Sequence, residues 1–148
     1  MTTFPRRPVL VLEDSDEDYD TVEEAARMSG ITQRLYRVMT GESCLELLQG
    51  SGAPPLRPCV LLLDLNTPGL GGREALVAIR AEPALRHLPV VVLSTSSSPD
   101  DLAHCYGHGV NAYHLKPLRY DEHLQLLRDI FTYWLRRVKL PESSGSDR

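Results

Sequence analysis

The fold is decided by the segment Cys59-Val-Leu-Leu-Leu-Asp64-Leu-Asn-Thr-Pro68, an apolar run that ends on a single carboxylate. Turn-forming residues follow at Pro68-Gly69 and Gly71-Gly72. A short apolar run bounded by turn signals predicts a strand that is buried on both faces, as in a parallel sheet. Asp64 would then lie at the carboxyl edge of the sheet, where open α/β folds bind ligands. This segment alone leaves open whether Asp64 instead caps a helix predicted over 73–81.

Four further runs predict strands, and the segments between them have the apolar spacing of amphipathic helices. The predicted strands are 9–12, 33–38, 89–93 and 110–115, in addition to the Asp64 strand. The predicted helices end near Gly30, cover 41–49 and 73–81, run from Pro99 to about Gly109, and cover 121–138. Five β-α repeats predict an α/β protein with a doubly wound (βα)5 parallel sheet and helices on both faces.

Polar side chains stand where these predicted strands end. Glu13 and Asp14 follow the first strand, Ser94 the fourth and Lys116 the last. Because the carboxyl ends of parallel strands share one edge of a sheet, we expect these residues to converge with Asp64. The sequence therefore predicts a site made of acids, a hydroxyl and an amine.

The adjacent carboxylates Glu13 and Asp14 indicate a cation site. Two such charges about 4 Å apart repel each other by roughly 4 kcal/mol at a surface-like dielectric, and each raises the pKa of the other. A hard divalent cation removes that cost, and oxygen ligands suit Mg²⁺. The next acids, Asp16, Glu17 and Asp18, are assigned to a first helical turn, where carboxylates stabilise the helix dipole.

The predicted set of residues suits phosphoryl transfer onto the protein itself. Asp64 would be the nucleophile that attacks phosphorus. The metal and Lys116 would spread the charge of the transferring group. Ser94 would donate a hydrogen bond to the phosphoryl oxygens.

These motifs resemble the receiver domain of two-component response regulators. The matching elements are Glu13-Asp14, Asp64-Leu-Asn-Thr-Pro68 with Gly72, Ser94, and Lys116-Pro117. The resemblance covers about residues 8–135, so 1–140 is expected to be a receiver domain and 141–148 a disordered tail. It implies a flavodoxin-like fold with strand order 2-1-3-4-5. It also implies that Asp64 is the phosphoacceptor, charged from a phosphohistidine on a sensor histidine kinase.

The resemblance implies further roles. Asn66 matches the position whose backbone carbonyl binds Mg²⁺, and Ser94 with Tyr113 matches the switch pair that reorients on phosphorylation. Lys116-Pro117 matches a lysine–proline bond that is commonly cis. Thr95 departs from the small residue usual after the switch hydroxyl, so it is expected to restrict access to the phosphoryl group and affect the phosphorylated lifetime.

Some segments look most like the small regulators paired with bacterial phytochromes: Asp64-Leu-Asn-Thr-Pro68, Gly72-Arg-Glu-Ala-Leu76, Pro89-Val-Val-Val-Leu-Ser-Thr-Ser96 and Phe131-Thr-Tyr-Trp134. That likeness implies a bacteriophytochrome as the upstream kinase and a homodimer through the last strand and helix. The interface residues implied are Leu124, Leu127, Phe131 and Trp134. The two apolar stripes of this helix leave open whether one faces a partner or both form one broad core face.

No output domain is expected after Val138, so the chain would act by binding a partner or passing the phosphoryl group on, and not as an enzyme. A phosphatase with an aspartate nucleophile usually needs a second acid where Asn66 stands. A flavin-binding carrier would need a phosphate cradle where the acidic segment 13–18 lies. A degenerate receiver that serves as a phosphorylation-independent binding module is the remaining alternative.

Composition narrows the class of protein. The formal charge of -4 argues against nucleic-acid binding. We expect no membrane span and no signal peptide, and therefore a cytoplasmic protein. Cys44, Cys59 and Cys105 lack metal or disulfide spacing and are predicted to be reduced. His104 and His108, which flank Cys105, are predicted to be ordinary surface histidines, since no third metal ligand is evident.

Overall fold

The computed structural model describes residues 7–67 and 71–141. The strands within them are β1 Val9–Leu12, β2 Leu35–Val38, β3 Val60–Asp64, β4 Val90–Ser94 and β5 Ala112–Leu115. The helices are α1 Asp16–Ser29, α2 Gly41–Gln49, α3 Gly72–Ala81, α4 Pro99–Gly107 and α5 Tyr120–Thr132, with a 3-10 turn at Pro83–Leu85 and a π-helical turn at Tyr133–Arg137. The predicted turn at Pro68-Gly69 and most of the predicted tail, 142–148, lie outside the described residues.

The five strands form one parallel sheet in the order β2-β1-β3-β4-β5. This confirms the predicted flavodoxin-like order. Alternate residues of each strand face opposite sides, because the side-chain period of a strand is two. Leu10 and Leu12 belong to a core cluster with α2 and α3. Val9 and Val11 belong to the cluster with α1 and α5.

Strands β3 and β4 lie inside the sheet and are buried along their whole length. Helices cover both faces of the sheet, which is why these strands are continuous apolar runs instead of alternating ones. A polar side chain is tolerated only where such a strand ends. Asp64 and Ser94 are the last residues of β3 and β4 and are the polar residues of those strands.

Helix α5 has one broad core face, which settles the open question of its two stripes. His123, Leu127, Ile130 and Phe131 are buried. The prediction that Leu127 and Phe131 form a partner surface is therefore wrong, because both side chains pack with α1 and the sheet inside the core. Of the four predicted interface residues, Leu124 and Trp134 are the ones that remain partly exposed.

The helix predicted over 121–138 ends earlier than expected, at Thr132, and continues as the π-helical turn. In this segment Arg136 donates from Nη2 to the carbonyl oxygens of Ser29 and Gly30, both at 2.9 Å. These carbonyls lie at the carboxyl end of α1, where a helix lacks internal donors. The π-helical turn thus caps the carboxyl end of α1.

The three cysteines are buried and form no disulfide. Burial raises the pKa of the Cys44 thiol to about 12. Among residues 7–67 and 71–141, no helix is long and apolar enough to span a bilayer.

Candidate functional site

The ends of the strands bring the predicted acids and the lysine together. The ammonium of Lys116, just after β5, lies 3.0 Å from Oδ2 of Asp64 and 3.1 Å from Oε1 of Glu13. The Lys116 side chain is only 10% exposed. Its backbone N–H donates to the Ser94 carbonyl at 2.8 Å, which fixes the chain beside the end of β4. The expected convergence therefore occurs in the structure.

A third carboxylate, Asp18, also binds this ammonium, at 2.9 Å from its Oδ2. The sequence analysis missed this contact, because it assigned Asp18 to the helix dipole alone. Asp18 is the third residue of α1, and helical side chains tilt toward the N-terminus of their helix. This tilt carries the carboxylate back to the sheet edge, and it is the signal that could have revealed the contact.

The charge state of Lys116 follows from these neighbours. Burial alone would lower the pKa of Lys116. The hydrogen bond to Asp18 and the negative charges of Asp64 and Glu13 outweigh it and raise the pKa above the usual value. Lys116 is therefore a permanent cation at neutral pH.

Three carboxylates form a possible cation site. Glu13, Asp14 and Asp64 each offer an oxygen, and these oxygens lie within 4.8 Å of one another. Burial, and then the charge of Asp64, raise the pKa of Glu13 to about 7. Lys116 offsets only part of this repulsion. The oxygen-only donor set and its excess of negative charge fit a hard divalent cation.

Asp64 is available to this site because it does not cap α3. The cap position of α3 is Gly71, whose backbone N–H donates to Oε1 of Glu74 at 3.1 Å. The following residue, Gly72, packs directly on the end of β3. A Cβ at Gly72 would lie 2.6 Å from the Asp64 carbonyl oxygen and 2.8 Å from Cα of Leu65, so only glycine fits. This resolves the alternative that the sequence left open.

Asn66 lies against Asp64 and reaches the end of β4. Its backbone N–H donates to Oδ1 of Asp64 at 3.0 Å. Its side-chain amide donates to the hydroxyls of Ser94 and Thr95, both at 3.4 Å. Thr95 is exposed, so this bridge lies at the surface between the two strand ends. The predicted role of the Asn66 carbonyl as a metal ligand stays a prediction.

The two predicted switch residues both contact Ser96. The Ser94 hydroxyl accepts from the Ser96 N–H at 3.0 Å. The Tyr113 hydroxyl donates to the Ser96 carbonyl at 2.8 Å. Ser94 is fully buried, whereas Tyr113 is half-buried. The loop after β4 therefore links the hydroxyl of one strand to the ring of the next.

A further link ties this loop to α3, and the sequence analysis missed it. The Ser96 hydroxyl donates to Oδ2 of Asp101 at 2.6 Å. The other oxygen of Asp101, in the first turn of α4, pairs with the guanidinium of Arg73. At the end of this loop Ser98 caps α4, by accepting from the N–H of Asp100.

One other expectation is contradicted by the structure. No cis peptide bond occurs in the described part of the chain, so the expectation of a cis Lys116–Pro117 bond is wrong. The trans isomer is the intrinsically preferred one.

Within residues 7–67 and 71–141, one cluster has three or more side chains that could bind a metal ion, and it consists of Glu13, Asp14 and Asp64. The rings of His104 and His108 contact each other at a tilt of 44°, with their centroids 4.5 Å apart, and His108 Nδ1 lies 2.9 Å from the His104 carbonyl oxygen.

Comparisons with known proteins agree with this geometry. The response regulator receiver domain model matches residues 9–128. Response regulator Rcp1 from Synechocystis sp. is 36% identical over 141 residues, which are 93% of this chain and 95% of that protein. The Mn²⁺-bound structure of Rcp1 is 35% identical, with a TM-score of 0.86 over 92% of this chain and 99% of Rcp1. The phosphorylated cyanobacterial phytochrome response regulator RcpA is 34% identical, with a TM-score of 0.87 over 93% and 99%.

A five-stranded parallel sheet with three acids and a lysine at its carboxyl edge defines a signalling domain of the two-component class. The chain belongs to the response regulator receiver domain family. Within this family it is homologous to the phytochrome response regulators, as predicted. Receiver domains generally use Mg²⁺ or Mn²⁺ at an acidic site, and this chain has an acidic cluster of Glu13, Asp14 and Asp64.

Proposed function

We propose that this chain takes a phosphoryl group from a sensor histidine kinase onto Asp64, with Mg²⁺ as cofactor, and signals by binding a partner. The observation that supports this most is the position of Asp64 between a cation and a group of acids. Its Oδ2 lies 3.0 Å from Lys116, while its carboxylate shares a possible metal site with Glu13 and Asp14. The residues proposed as nucleophile, metal ligands and charge-stabilising amine therefore lie side by side.

In the proposed reaction, a carboxylate oxygen of Asp64 attacks the phosphorus of a phosphohistidine. A P–O bond forms, the P–N bond breaks, and its electron pair leaves with the imidazole. Mg²⁺ held by Glu13, Asp14, Asp64 and the Asn66 carbonyl would neutralise the charge of the transferring group. Lys116 binds a phosphoryl oxygen from the side of β5.

Ser94 is proposed to donate its hydroxyl to the phosphoryl group once that group is in place. A hydroxyl can donate and accept at once, so Ser94 could do so while it still accepts from the N–H of Ser96 at 3.0 Å, and any movement of Ser94 would then carry the loop with it. Tyr113 is bonded to the same residue, so a change at Ser94 reaches Tyr113 through Ser96. This coupling supports the assignment of Ser94 and Tyr113 as the switch pair.

The proposed kinase is a bacteriophytochrome, and the proposed location is the cytoplasm, where such kinases present their phosphohistidine. The support is the homology to RcpA, a cyanobacterial phytochrome response regulator. A bacteriophytochrome that carries a radiolabelled phosphoryl group should transfer it to this chain faster than an unrelated kinase labelled in the same way. Equal transfer from both kinases would contradict the assignment.

A homodimer through β5 and α5 is part of the proposal. β5 is an edge strand, and apolar side chains at its end and in the segment that leads into α5 face solvent. Leu115 is 53% exposed, Leu118 96% and Tyr120 59%. Leu118→Glu should shift sedimentation from dimer to monomer, whereas Val77→Glu, on α3, should not. A monomeric wild type, with and without phosphorylation, would contradict the dimer.

The phosphoacceptor is tested by intact-mass spectrometry after incubation with Mg²⁺ and acetyl phosphate. We expect one phosphate adduct on wild type, none on Asp64→Asn, and a normal adduct on the matched control Asp100→Asn. An adduct on Asp64→Asn would place the acceptor elsewhere. The absence of any adduct, with acetyl phosphate and with a phosphorylated kinase, would indicate a phosphorylation-independent binding module.

A further inference from the structure

The ammonium of Lys116 is bound by three carboxylates, one more than the strand ends supply. Asp18 is the nearest, at 2.9 Å, with Asp64 at 3.0 Å and Glu13 at 3.1 Å. A lysine ammonium has three N–H donors, so each carboxylate takes one of them. Asp18 is therefore a full partner of Lys116 and not a distant countercharge.

Asp18 differs from the other two carboxylates in one respect. Glu13 and Asp64 belong to the possible metal site, whereas Asp18 does not. A divalent cation on Glu13 and Asp64 would weaken their attraction for Lys116, because it neutralises their charge and repels the ammonium. Asp18 would keep its charge and its hydrogen bond.

Asp18 is also held firmly. It is in the first turn of α1, and its backbone N–H donates to the hydroxyl of the cap residue, Ser15, at 3.2 Å. Helix α1 packs along α5 and on the sheet, so its first turn has a fixed position at the site. The Asp18 side chain is 28% exposed, which leaves its hydrogen bond with Lys116 partly shielded from water.

We propose that Asp18 is a positioning residue for phosphoryl transfer, which anchors the Lys116 ammonium at the sheet edge while a cation occupies Glu13 and Asp64. The inference rests on the proposed function, because the anchored amine is the one that would bind the transferring phosphoryl group. The four acids of the site would then have two different roles. Glu13, Asp14 and Asp64 hold the metal, and Asp18 holds the lysine.

The first test observes the lysine directly and needs no phosphorylation. The chain has two lysines, Lys116 and the exposed Lys139. Labelling the lysine Nζ atoms with ¹⁵N therefore gives one ammonium signal to follow, that of Lys116, and one internal reference, that of Lys139. With saturating Mg²⁺, the ammonium of Lys116 should give a persistent ¹H–¹⁵N correlation with slow proton exchange. In Asp18→Asn this correlation should broaden like that of Lys139, and in the matched control Asp20→Asn it should persist. The anchor is refuted if the correlation persists in Asp18→Asn or is already lost in Mg²⁺-bound wild type.

The second test measures the rate of phosphorylation by acetyl phosphate at saturating Mg²⁺. Asp18→Asn should lower the maximal rate about tenfold, as expected for losing one charge-assisted hydrogen bond, and Asp20→Asn should stay within about twofold. If Asp18→Asn is slower than wild type at limiting Mg²⁺ but matches it at saturating Mg²⁺, the residue acts only through metal affinity and the inference fails. If wild type is phosphorylated neither by acetyl phosphate nor by a phosphorylated kinase, the proposed function fails instead, and the lysine spectra still decide whether Asp18 anchors Lys116.

Discussion

The ammonium of Lys116 lies 3.0 Å from Oδ2 of Asp64, so the last strand supplies the counter-ion for the carboxylate that ends the third. Both side chains are at most 10% exposed. Because the pair is shielded from water, its charges act strongly on each other and on the acids around them. The electrostatics of the site therefore depend on this lysine.

Replacing Lys116 by glutamine should destabilise the cation-free protein. Glu13, Asp18 and Asp64 would lose their shared counter-ion, and removing one partner of a buried ion pair leaves uncompensated charge. We expect the free energy of unfolding in EDTA to fall by roughly 2 kcal/mol. Urea unfolding measures it, with the exposed Lys139→Gln as the control. Mg²⁺ should reduce the difference; equal stability of Lys116→Gln and wild type in EDTA would contradict the prediction.

The stability of the cation-free protein should fall with rising pH because of Glu13. Burial and the charge of Asp64 raise the pKa of Glu13 from 4.5 to about 7 in the folded protein. The folded state therefore holds more protons than the unfolded chain within this window. The stabilising contribution is fully present below pH 4.5 and is lost as the pH rises to about 7. In EDTA, the urea midpoint of wild type should drop between pH 5 and 7.5 by more than that of Glu13→Gln.

Cation binding should show the opposite pH dependence. A proton on Glu13 competes with the metal, so apparent Mg²⁺ affinity should rise as the pH approaches about 7. Below the pKa the gain should approach tenfold per pH unit. Calorimetric titration at pH 5.5, 6.5 and 7.5 measures it. A flat profile in wild type would show that Glu13 is ionised throughout and would refute its raised pKa.

Replacing Gly72 by alanine should lower the stability of the folded protein. Its Cβ would lie 2.6 Å from the Asp64 carbonyl oxygen, so α3 or the end of β3 must shift. Overpacking of this kind costs roughly 1–3 kcal/mol, and we expect a loss in the upper part of that range. Gly107→Ala is the matched control, because a Cβ there meets nothing within 4 Å. Chemical unfolding of both variants decides the matter; equal stability would show that the contact relaxes without cost.

Replacing Thr95 by a smaller residue should make the phosphorylation site more accessible. Its hydroxyl is bridged to Ser94 through the Asn66 amide, at 3.4 Å on each side. We expect Thr95→Ala to raise the rates of phosphorylation by acetyl phosphate and of phosphoryl loss severalfold. Thr95→Ser keeps the hydroxyl and removes the methyl group, so it separates the hydrogen bond from steric bulk. Unchanged rates in both variants would show that Thr95 does not restrict access.

Asparagine at Asp101 should loosen the loop after β4. Asp101 accepts from the Ser96 hydroxyl at 2.6 Å and pairs with Arg73, and the substitution removes the charge that both donors share. Amide hydrogen exchange over 95–98 should speed up about tenfold, as expected for the loss of charged hydrogen bonds. Asp100→Asn, one residue earlier and exposed, should leave the exchange unchanged. Protection equal to wild type in Asp101→Asn would mean that this contact does not hold the loop.

Much of the site could be predicted from the sequence because strand ends are marked by composition. In a sheet covered on both faces, an apolar run must stop where a polar group appears. Asp64 and Ser94 were found in this way, and Glu13, Asp14 and Lys116 just beyond the ends of their strands. The role of Asp18 could not be found by the same argument, because an acid in a first helical turn has a sufficient local explanation.

The burial of Leu127 and Phe131 in the core also could not be predicted from a local pattern. An apolar stripe on a helix indicates that a face is buried, but it does not tell the core from a partner surface. Only the packing of α5 against α1 and the sheet places both residues inside. Similarly, only the tertiary structure shows that Ser96 has a charged partner, Asp101.

The order of strands and helices, the acidic edge and the family could be predicted from the chain alone, because apolar periodicity and strand-end residues are local properties. Three features needed the folded structure: which acids bind Lys116, that Gly72 must pack on the end of β3, and which face of α5 is covered. These features depend on distances between residues far apart in the chain. The Lys116–Asp64 contact spans 52 positions and the Lys116–Asp18 contact 98, and no local pattern carries that information.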